Sequence, residues 1–219
     1  MQQFILGLDE YFCEKYANYD KLCTLDGYKM PKMQVTELRD GKKFSYTLPP
    51  ETMRLALQEN KEELVKAVKK ELVDKTFSFS FYPLKWRKRL SNRFGVFGFV
   101  KAFNDILVKS KKSVYDIERG LDILPAVFKK VRKGAFLPTK NLVFSIALAG
   151  ELTKDETTSL LEACGEKWDF VYANDVVISY LLERRVFAPA LIKSALTEYK
   201  IENLFLRLQE AENGENSEK

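Results

Sequence analysis

The chain contains 219 residues with a formal net charge of +5, three cysteines and no histidine. The lack of histidine excludes Ser-His-Asp and Cys-His catalysis, and three cysteines without a CxxC pair argue against a zinc site or a disulfide framework. Free thiols are typical of the reducing cytoplasm, and no apolar stretch reaches the length of a membrane span. Composition therefore predicts a cytoplasmic, non-enzymatic protein with no cofactor, no metal and no membrane contact.

The first 98 residues are predicted to form a helix–hairpin–helix domain. Aromatic residues recur at three- and four-residue steps along residues 2–25, which is the pattern of a helix with one buried face. The Asp40-Gly41 pair between two β-prone runs predicts a hairpin over residues 34–48. Pro49-Pro50 then opens a long helix, since proline is favoured in the first helical turn.

Two features precede the predicted domain boundary near residues 94–99. The phenylalanines of residues 77–81 alternate with period two, which fits either a short strand or an aromatic plug between helices. The run LKWRKRLSN, residues 84–92, fits a patch that follows a nucleic-acid backbone with Trp86 exposed for stacking. The favoured alternative is an amphipathic turn that Trp86 and Leu90 anchor to the core, with the basic groups merely solvated, because one aromatic residue does not make a stacking platform.

The positive charge is concentrated in the middle of the chain. Residues 84–140 carry fifteen basic side chains against four acidic ones, a net charge of +11, whereas residues 1–83 are neutral and residues 141–219 carry −6. A basic segment between neutral and acidic ends is typical of a polyanion-binding surface. The alternative is that these cations are solvated or pair with the acidic C-terminal third.

Residues 113–138 are predicted to form two short helices joined by a tight turn. Ser113 is suited to cap a first helix that runs to about Gly120. Pro125 is suited to begin a second helix, and Gly134 to end it. This is the geometry of a helix-turn-helix, in which the second helix enters the major groove of DNA.

The same segment resembles the helix-turn-helix of the lambda-repressor/Cro (XRE) type. The residues that carry the resemblance are Ser113, Ile117, Leu121, Ile123, Phe128, Val131, Gly134, Pro138 and the pair Ile146-Ala147. It continues to about residue 206 through a helical extension like that seen in Firmicutes proteins. The resemblance implies an all-α, lambda-repressor-like domain over residues 99–208, in a bacterial or phage regulatory protein that associates with DNA.

The chain departs from this family pattern where bases would be read. Glu118 stands where the family has alanine, and Asp122 stands where it has glycine. At the start of the recognition helix, Leu124, Pro125 and Ala126 occupy positions where family members carry polar side chains that pair with base edges. The resemblance therefore implies the fold of the family without its sequence-specific reading.

The candidate nucleic-acid-binding residues are the cations suited to phosphate contacts. They are Lys129, Lys130, Arg132, Lys133, Lys140, Arg87, Lys88 and Arg89. The alternative function is a protein-interaction or adaptor module on a helix-turn-helix scaffold, in which Leu124, Pro125 and Ala126 contact a protein partner or a second copy. An enzyme built from carboxylate, lysine or tyrosine chemistry in residues 1–98 is disfavoured, because no such grouping stands out.

The remaining features favour structural roles. Only one of the adjacent Asp9 and Glu10 can share a helix face with Glu14, so an exposed face is favoured over a metal site. The three cysteines are expected to be buried and unreactive thiols. Residues 209–219 are polar and acidic and are predicted to form a disordered tail.

Overall fold

A computed structural model describes residues 1–18, 34–39, 41–47, 61–73, 79–96, 98–111 and 113–208. The helices are α1 (Gln2–Lys15), α2 (Lys61–Glu71), α3 (Trp86–Phe94), α4 (Phe99–Ser110), α5 (Val114–Gly120), α6 (Pro125–Arg132), α7 (Lys140–Ala149), α8 (Lys154–Ala163), α9 (Ala173–Glu183) and α10 (Pro189–Glu198). The strands are β1 (Gln34–Arg39), β2 (Lys42–Thr47), β3 (Phe81–Pro83) and β4 (Phe136–Pro138). The described part of the chain is mainly helical with one small antiparallel hairpin, which confirms the predicted fold class.

α1 is shorter than the helix predicted over residues 2–25. It ends before Tyr16, whose backbone is extended with ψ at 115°. The N–H of Ala17 then donates to the carbonyl oxygen of Phe170 at 2.9 Å instead of continuing the helical pattern. The prediction was therefore wrong at residues 16–18, because Ala17 bonds to a distant segment instead of to the preceding turn. Residues 19–25 lie outside the described part.

β1 and β2 form the predicted hairpin. The two strands pair antiparallel, with Gln34 opposite Thr47. Gly41 supplies the left-handed conformation that the tight turn needs, with φ at 74°. The hairpin prediction is confirmed, whereas the start of the long helix predicted from Pro49-Pro50 falls on residues outside the described part.

A second small sheet joins distant parts of the chain. β3 pairs antiparallel with β4, and the rings of Phe81 and Phe136 stack with their centroids 4.1 Å apart. Of the two interpretations of residues 77–81, the strand is therefore the one that Phe81 adopts. The expectation of an entirely helical segment over residues 99–208 is wrong at β4, because its backbone groups pair with β3 instead.

α5 and α6 begin and end close to the predicted residues. The Oγ atom of Ser113 accepts a hydrogen bond from the N–H of Tyr115 at 3.1 Å and caps α5. Pro125 is the first residue of α6, and Gly134 follows the end of α6 with φ at 74°. The two predicted helices are confirmed as helices, whereas their kinship with the XRE type stays a prediction.

α7 and α9 lie at the centre of the core. Every residue of 141–148 in α7 and of 174–182 in α9 is buried. α1 packs on α9 and α10, α8 packs on α4 and α7, and α5 packs on α7. Helices that are apolar on all sides are expected to be enclosed in this way. No helix in the described ranges combines the length and the apolar character needed to cross a membrane.

A charged network links α1 and α2 to the C-terminal end of α10. Asp9 on α1 accepts a hydrogen bond from Lys69 Nζ on α2 at 2.9 Å and another from the Tyr199 hydroxyl, which follows α10, at 2.7 Å. Lys69 also pairs with Glu198 at 2.7 Å. The division of the chain at residue 98 stays a prediction, and the predicted tail lies outside the described residues.

Candidate nucleic-acid interface

The basic run of residues 84–92 forms most of α3, a helix without an acidic side chain. Trp86, Leu90 and Phe94 recur at four-residue intervals, so they form one stripe along the helix. Their exposed fractions are 67%, 49% and 70%. The interpretation in which Trp86 and Leu90 anchor an amphipathic turn is therefore wrong, because solvent reaches both side chains.

Guanidinium groups lie over two of these exposed rings. The Cζ atom of Arg87 is 5.5 Å from the centroid of the Trp86 ring, and the Cζ atom of Arg93 is 5.0 Å from the centroid of Phe94. Cation–π contacts of this kind hold a positive charge beside an aromatic face. α3 thus presents aromatic surface and positive charge together.

α6 supplies the second group of cations. Phe128 and Val131 are buried and fix one face of the helix against the core. Lys129, Lys130 and Lys133 are exposed on the rest of its surface. Cations in the last turn of a helix also interact favourably with its dipole, so they have a structural role even without a ligand.

A groove runs beside the predicted recognition helix. Its lining residues are Glu118, Pro125, Ala126, Lys129, Arg132 and Lys133. Arg132 is half-buried there, and its Nε atom is buried without a hydrogen-bond partner. Leu124 is 72% exposed. The three residues proposed to contact a partner are thus accessible, next to the cations and to a half-buried Glu118.

α3 and α6 are joined at their C-terminal ends by one buried side chain. Asn92 on α3 donates from Nδ2 to the carbonyl oxygen of Gly134, which follows α6, at 3.4 Å. Gly134 also lies against α3 so closely that a Cβ atom there would be 3.1 Å from the Cβ of Arg93. We refer to α3 and α6 together as the basic helix pair.

None of the candidate cations on the basic helix pair forms an ion pair with another described residue. Acidic side chains of the C-terminal third pair with other cations, as Glu198 does with Lys69 and Glu183 does with Lys154. Within the described part of the acidic third, up to residue 208, no carboxylate therefore balances the charge of these two helices by an ion pair.

Lys140 lies in a different environment from the other candidate cations. It is the first residue of α7, and its ammonium group pairs with the carboxylate of Asp175 on α9. Its Nζ atom also lies 5.7 Å from the centroid of the Phe144 ring. The side chain of Lys140 is 19% exposed and that of Asp175 is 2% exposed, so this pair is largely shielded from water.

The other residues noted in the sequence have structural surroundings. Asp9 is engaged by Lys69 and Tyr199, and no group of three metal-binding side chains occurs within the described ranges. Cys13 is buried, and burial raises the pKa of the Cys164 thiol to about 12, with Glu166 adding to the effect. The third cysteine lies outside the described residues.

Sequence reasoning missed the polar residues that the core encloses. Asn92, Asn174 and Asp175 are 7%, 4% and 1% exposed. The pair Asn174-Asp175 directly precedes the apolar run VVISYLL, and a polar pair at the start of so apolar a helix was the available signal. Asn92 gave no comparable signal, because it ends a run of basic residues.

Comparison of the chain with protein-family models, with curated proteins and with solved structures found no match.

Proposed function

We propose that this is a non-enzymatic protein that binds nucleic acid through phosphate contacts made by the basic helix pair. The observation that carries the proposal is the stripe of α3, where exposed Trp86 and Phe94 each lie beneath a guanidinium group. Cationic grooves with exposed aromatic rings bind nucleic-acid strands by combining phosphate contacts with base stacking. The resemblance of residues 113–138 adds the expectation of a bacterial or phage regulatory protein.

The chemistry of the surface favours binding without base-specific reading. Leu124, Pro125 and Ala126 offer no side-chain hydrogen bonds to base edges, whereas Lys129 and Lys130 suit phosphates. Stacking on an aromatic ring tolerates any base because every base has a π face. Single strands expose their bases for stacking, so we expect them to bind more tightly than a duplex of the same sequence.

A fluorescence-anisotropy titration with labelled single-stranded and duplex oligonucleotides tests the proposal. Affinity is expected to fall steeply with salt, because each neutralised phosphate releases counterions. Reversing Lys129, Lys130 and Lys133 to Glu should weaken binding to all sequences alike and lower the salt dependence. The matched control is K42E/K43E, which reverses two exposed lysines on the hairpin and should have a smaller effect.

The aromatic stripe has its own test. Trp86→Ala should weaken single-strand binding about 5- to 150-fold, in line with about 1–3 kcal/mol for a stacked base. Phe44→Ala removes an aromatic ring of the hairpin that is 51% exposed and should leave binding unchanged. If neither single strands nor duplexes bind at low salt, the proposed function is wrong.

The adaptor function is the second candidate, and the exposure of Leu124 favours it. This leucine is 72% exposed at the start of a helix, beside a groove, so a protein partner could bury its apolar surface. If a second copy of the chain is the partner, sedimentation should show association that increases with concentration and that Leu124→Glu abolishes. Reversal of Lys129 and Lys130 should leave that association intact.

A further inference from the structure

A cavity of about 700 Å³ lies where the first turns of α7 and α9 meet. It is separate from the groove beside α6 and shares no lining residue with it. The lining residues from the two helix starts are Thr139, Lys140, Asn141, Tyr172, Asn174 and Asp175. Two helices of ten and eleven residues therefore direct their N-terminal ends toward one space.

The start of α7 is electropositive and lacks a side-chain cap. Thr139 occupies the capping position, yet its hydroxyl donates to the carbonyl oxygen of Phe79 and caps nothing. The first turn contains no acidic residue and begins with Lys140. The unpaired N–H groups of a first helical turn carry a partial positive charge, and such an end attracts anions.

The start of α9 adds a buried donor without a partner. Tyr172 is the capping residue, and no side chain caps this helix either. Asn174 is 4% exposed, and its Nδ2 atom is buried without a hydrogen-bond partner. An unsatisfied buried donor destabilises the folded protein, so a ligand oxygen that accepts a hydrogen bond from it would be bound more tightly.

Two of the three acidic residues that line the cavity, Asp169 and Asp175, are already engaged, and the third, Glu166, is followed in the lining by a second cation, Lys167. Asp175 pairs with Lys140 and accepts a hydrogen bond from the N–H of Asp169 at 2.8 Å. Asp169 in turn accepts from the N–H of Val171 at 3.2 Å. Burial raises the pKa of Asp175 to about 6, against the opposing effect of Lys140, so this carboxyl group takes up a proton at a higher pH than an exposed aspartate does.

The geometry points to a phosphate-binding site in this cavity, with a phosphate monoester bound between the first turns of α7 and α9. The N–H groups of both turns, the ammonium group of Lys140 and the amide of Asn174 would donate to its oxygens. Glu166, Asp169 and Asp175 do not make a metal site, since the described ranges hold no cluster of three metal-binding side chains. The site does not depend on the proposed function of the basic helix pair.

The phosphate group has two candidate sources, a small phosphorylated molecule or the 5′ end of a nucleic-acid strand. A ³¹P NMR titration of inorganic phosphate and of a 5′-mononucleotide into the full chain measures the binding of small phosphorylated molecules. Comparison of the affinities of 5′-phosphorylated and 5′-hydroxyl oligonucleotides measures recognition of a 5′ end. In either case the phosphorylated probe should bind saturably and at least about tenfold more tightly than the matching nucleoside or 5′-hydroxyl strand.

Two variants test the residues of the site. Asn174→Asp replaces the buried donor with an acceptor and should weaken phosphate binding about tenfold or more. Because a buried substitution can disturb folding, the double variant K140M/D175N removes both members of the ion pair and should also lose binding. The charge reversals on α6 should leave phosphate binding unchanged, which separates this site from the basic helix pair.

The proposal is overturned if phosphate and the phosphorylated probes fail to bind to the folded wild-type chain. It is also overturned if the nucleoside and the 5′-hydroxyl strand bind equally well, or if folded Asn174→Asp binds phosphate like the wild type. Loss of oligonucleotide binding in the α6 variants, with phosphate binding retained, would support both sites independently.

Discussion

The side-chain amide of Asn92 donates to the carbonyl oxygen of Gly134 at 3.4 Å, across a sequence separation of 42 residues. The same amide accepts a hydrogen bond from the N–H of Phe99 at 3.0 Å through its Oδ1 atom. Phe99 is the first residue of α4, whose capping residue is Gly98, so Asn92 does the capping that glycine cannot. One buried side chain thus fixes the end of α3, the start of α4 and the end of α6.

Asn92→Ala should lower the free energy of unfolding by about 1–3 kcal/mol, because it leaves a buried N–H and a buried carbonyl without partners. Urea denaturation measures this difference. Asn104→Ala is the control, since Asn104 is exposed on α4 and its loss should change stability by about 0.5 kcal/mol or less. Equal stability of the two variants would mean that Asn92 does not join these helices.

Gly134→Ala should be more destabilising than Gly165→Ala, although both glycines have left-handed backbones. The φ angles are 74° and 77°, so both substitutions incur the same strain of about 1–2 kcal/mol. A Cβ atom at Gly134 would additionally lie 3.1 Å from Arg93 and 3.2 Å from Val100, whereas nothing lies within 4 Å at Gly165. Thermal unfolding of both variants measures the difference, and similar midpoints would exclude the crowding at Gly134.

Lys69→Met should destabilise the protein by about 2 kcal/mol, because it leaves the partly buried Asp9 without its counter-ion. Tyr199→Phe removes only the hydroxyl that donates to Asp9 and should cost about 1 kcal/mol. A double-mutant cycle in urea measures the coupling of Lys69 and Tyr199 through this carboxylate. Additive effects of the two substitutions would show that the network does not act as a unit.

Cys164 should react slowly with iodoacetamide at neutral pH. Burial raises the pKa of its thiol to about 12, and the thiolate is the nucleophile. Peptide mapping by mass spectrometry after timed alkylation gives the rate for this residue alone, and alkylation in denaturant gives the reference. A native rate equal to the denatured rate would contradict the raised pKa of this partly buried thiol.

Asp175 should give stability a distinct pH dependence. Burial raises its pKa from 3.8 to about 6, so between these values the folded protein binds a proton that the unfolded chain releases. The contribution of this group to stability is therefore present below pH 3.8 and is lost as the pH rises through 6. Across this pH window the free energy of unfolding of the wild type should fall as the pH rises, and that of Asp175→Asn should not show this fall. Parallel pH profiles of the two proteins would contradict it.

Local signals in the sequence were sufficient to predict several elements. Ser113 and Pro125 each favour the start of a helix at their own position, and Gly134 favours the end of one. Asp40-Gly41 likewise favours a tight turn at its own position. Their effects do not depend on the rest of the fold. This is why the hairpin and the bounds of α5 and α6 were predictable.

Features that depend on distant partners were not predictable in the same way. The extended backbone at Tyr16 depends on Phe170, and β4 forms only because it meets β3. At the candidate interface the cations were identifiable from composition, but their arrangement was not. The sequence does not show that Trp86 is exposed or that Lys140 faces Asp175, because both follow from tertiary packing.

The exposure of Trp86 has a spectroscopic consequence, because the chain contains only two tryptophans. The other, Trp168, stacks on Phe144 with centroids 5.2 Å apart and donates from Nε1 to Thr158 at 2.8 Å. The two indoles therefore sense different environments. In a Trp168→Phe variant, the fluorescence of Trp86 should change when a ligand binds at α3. In a Trp86→Phe variant, the fluorescence of Trp168 should change only when the core unfolds.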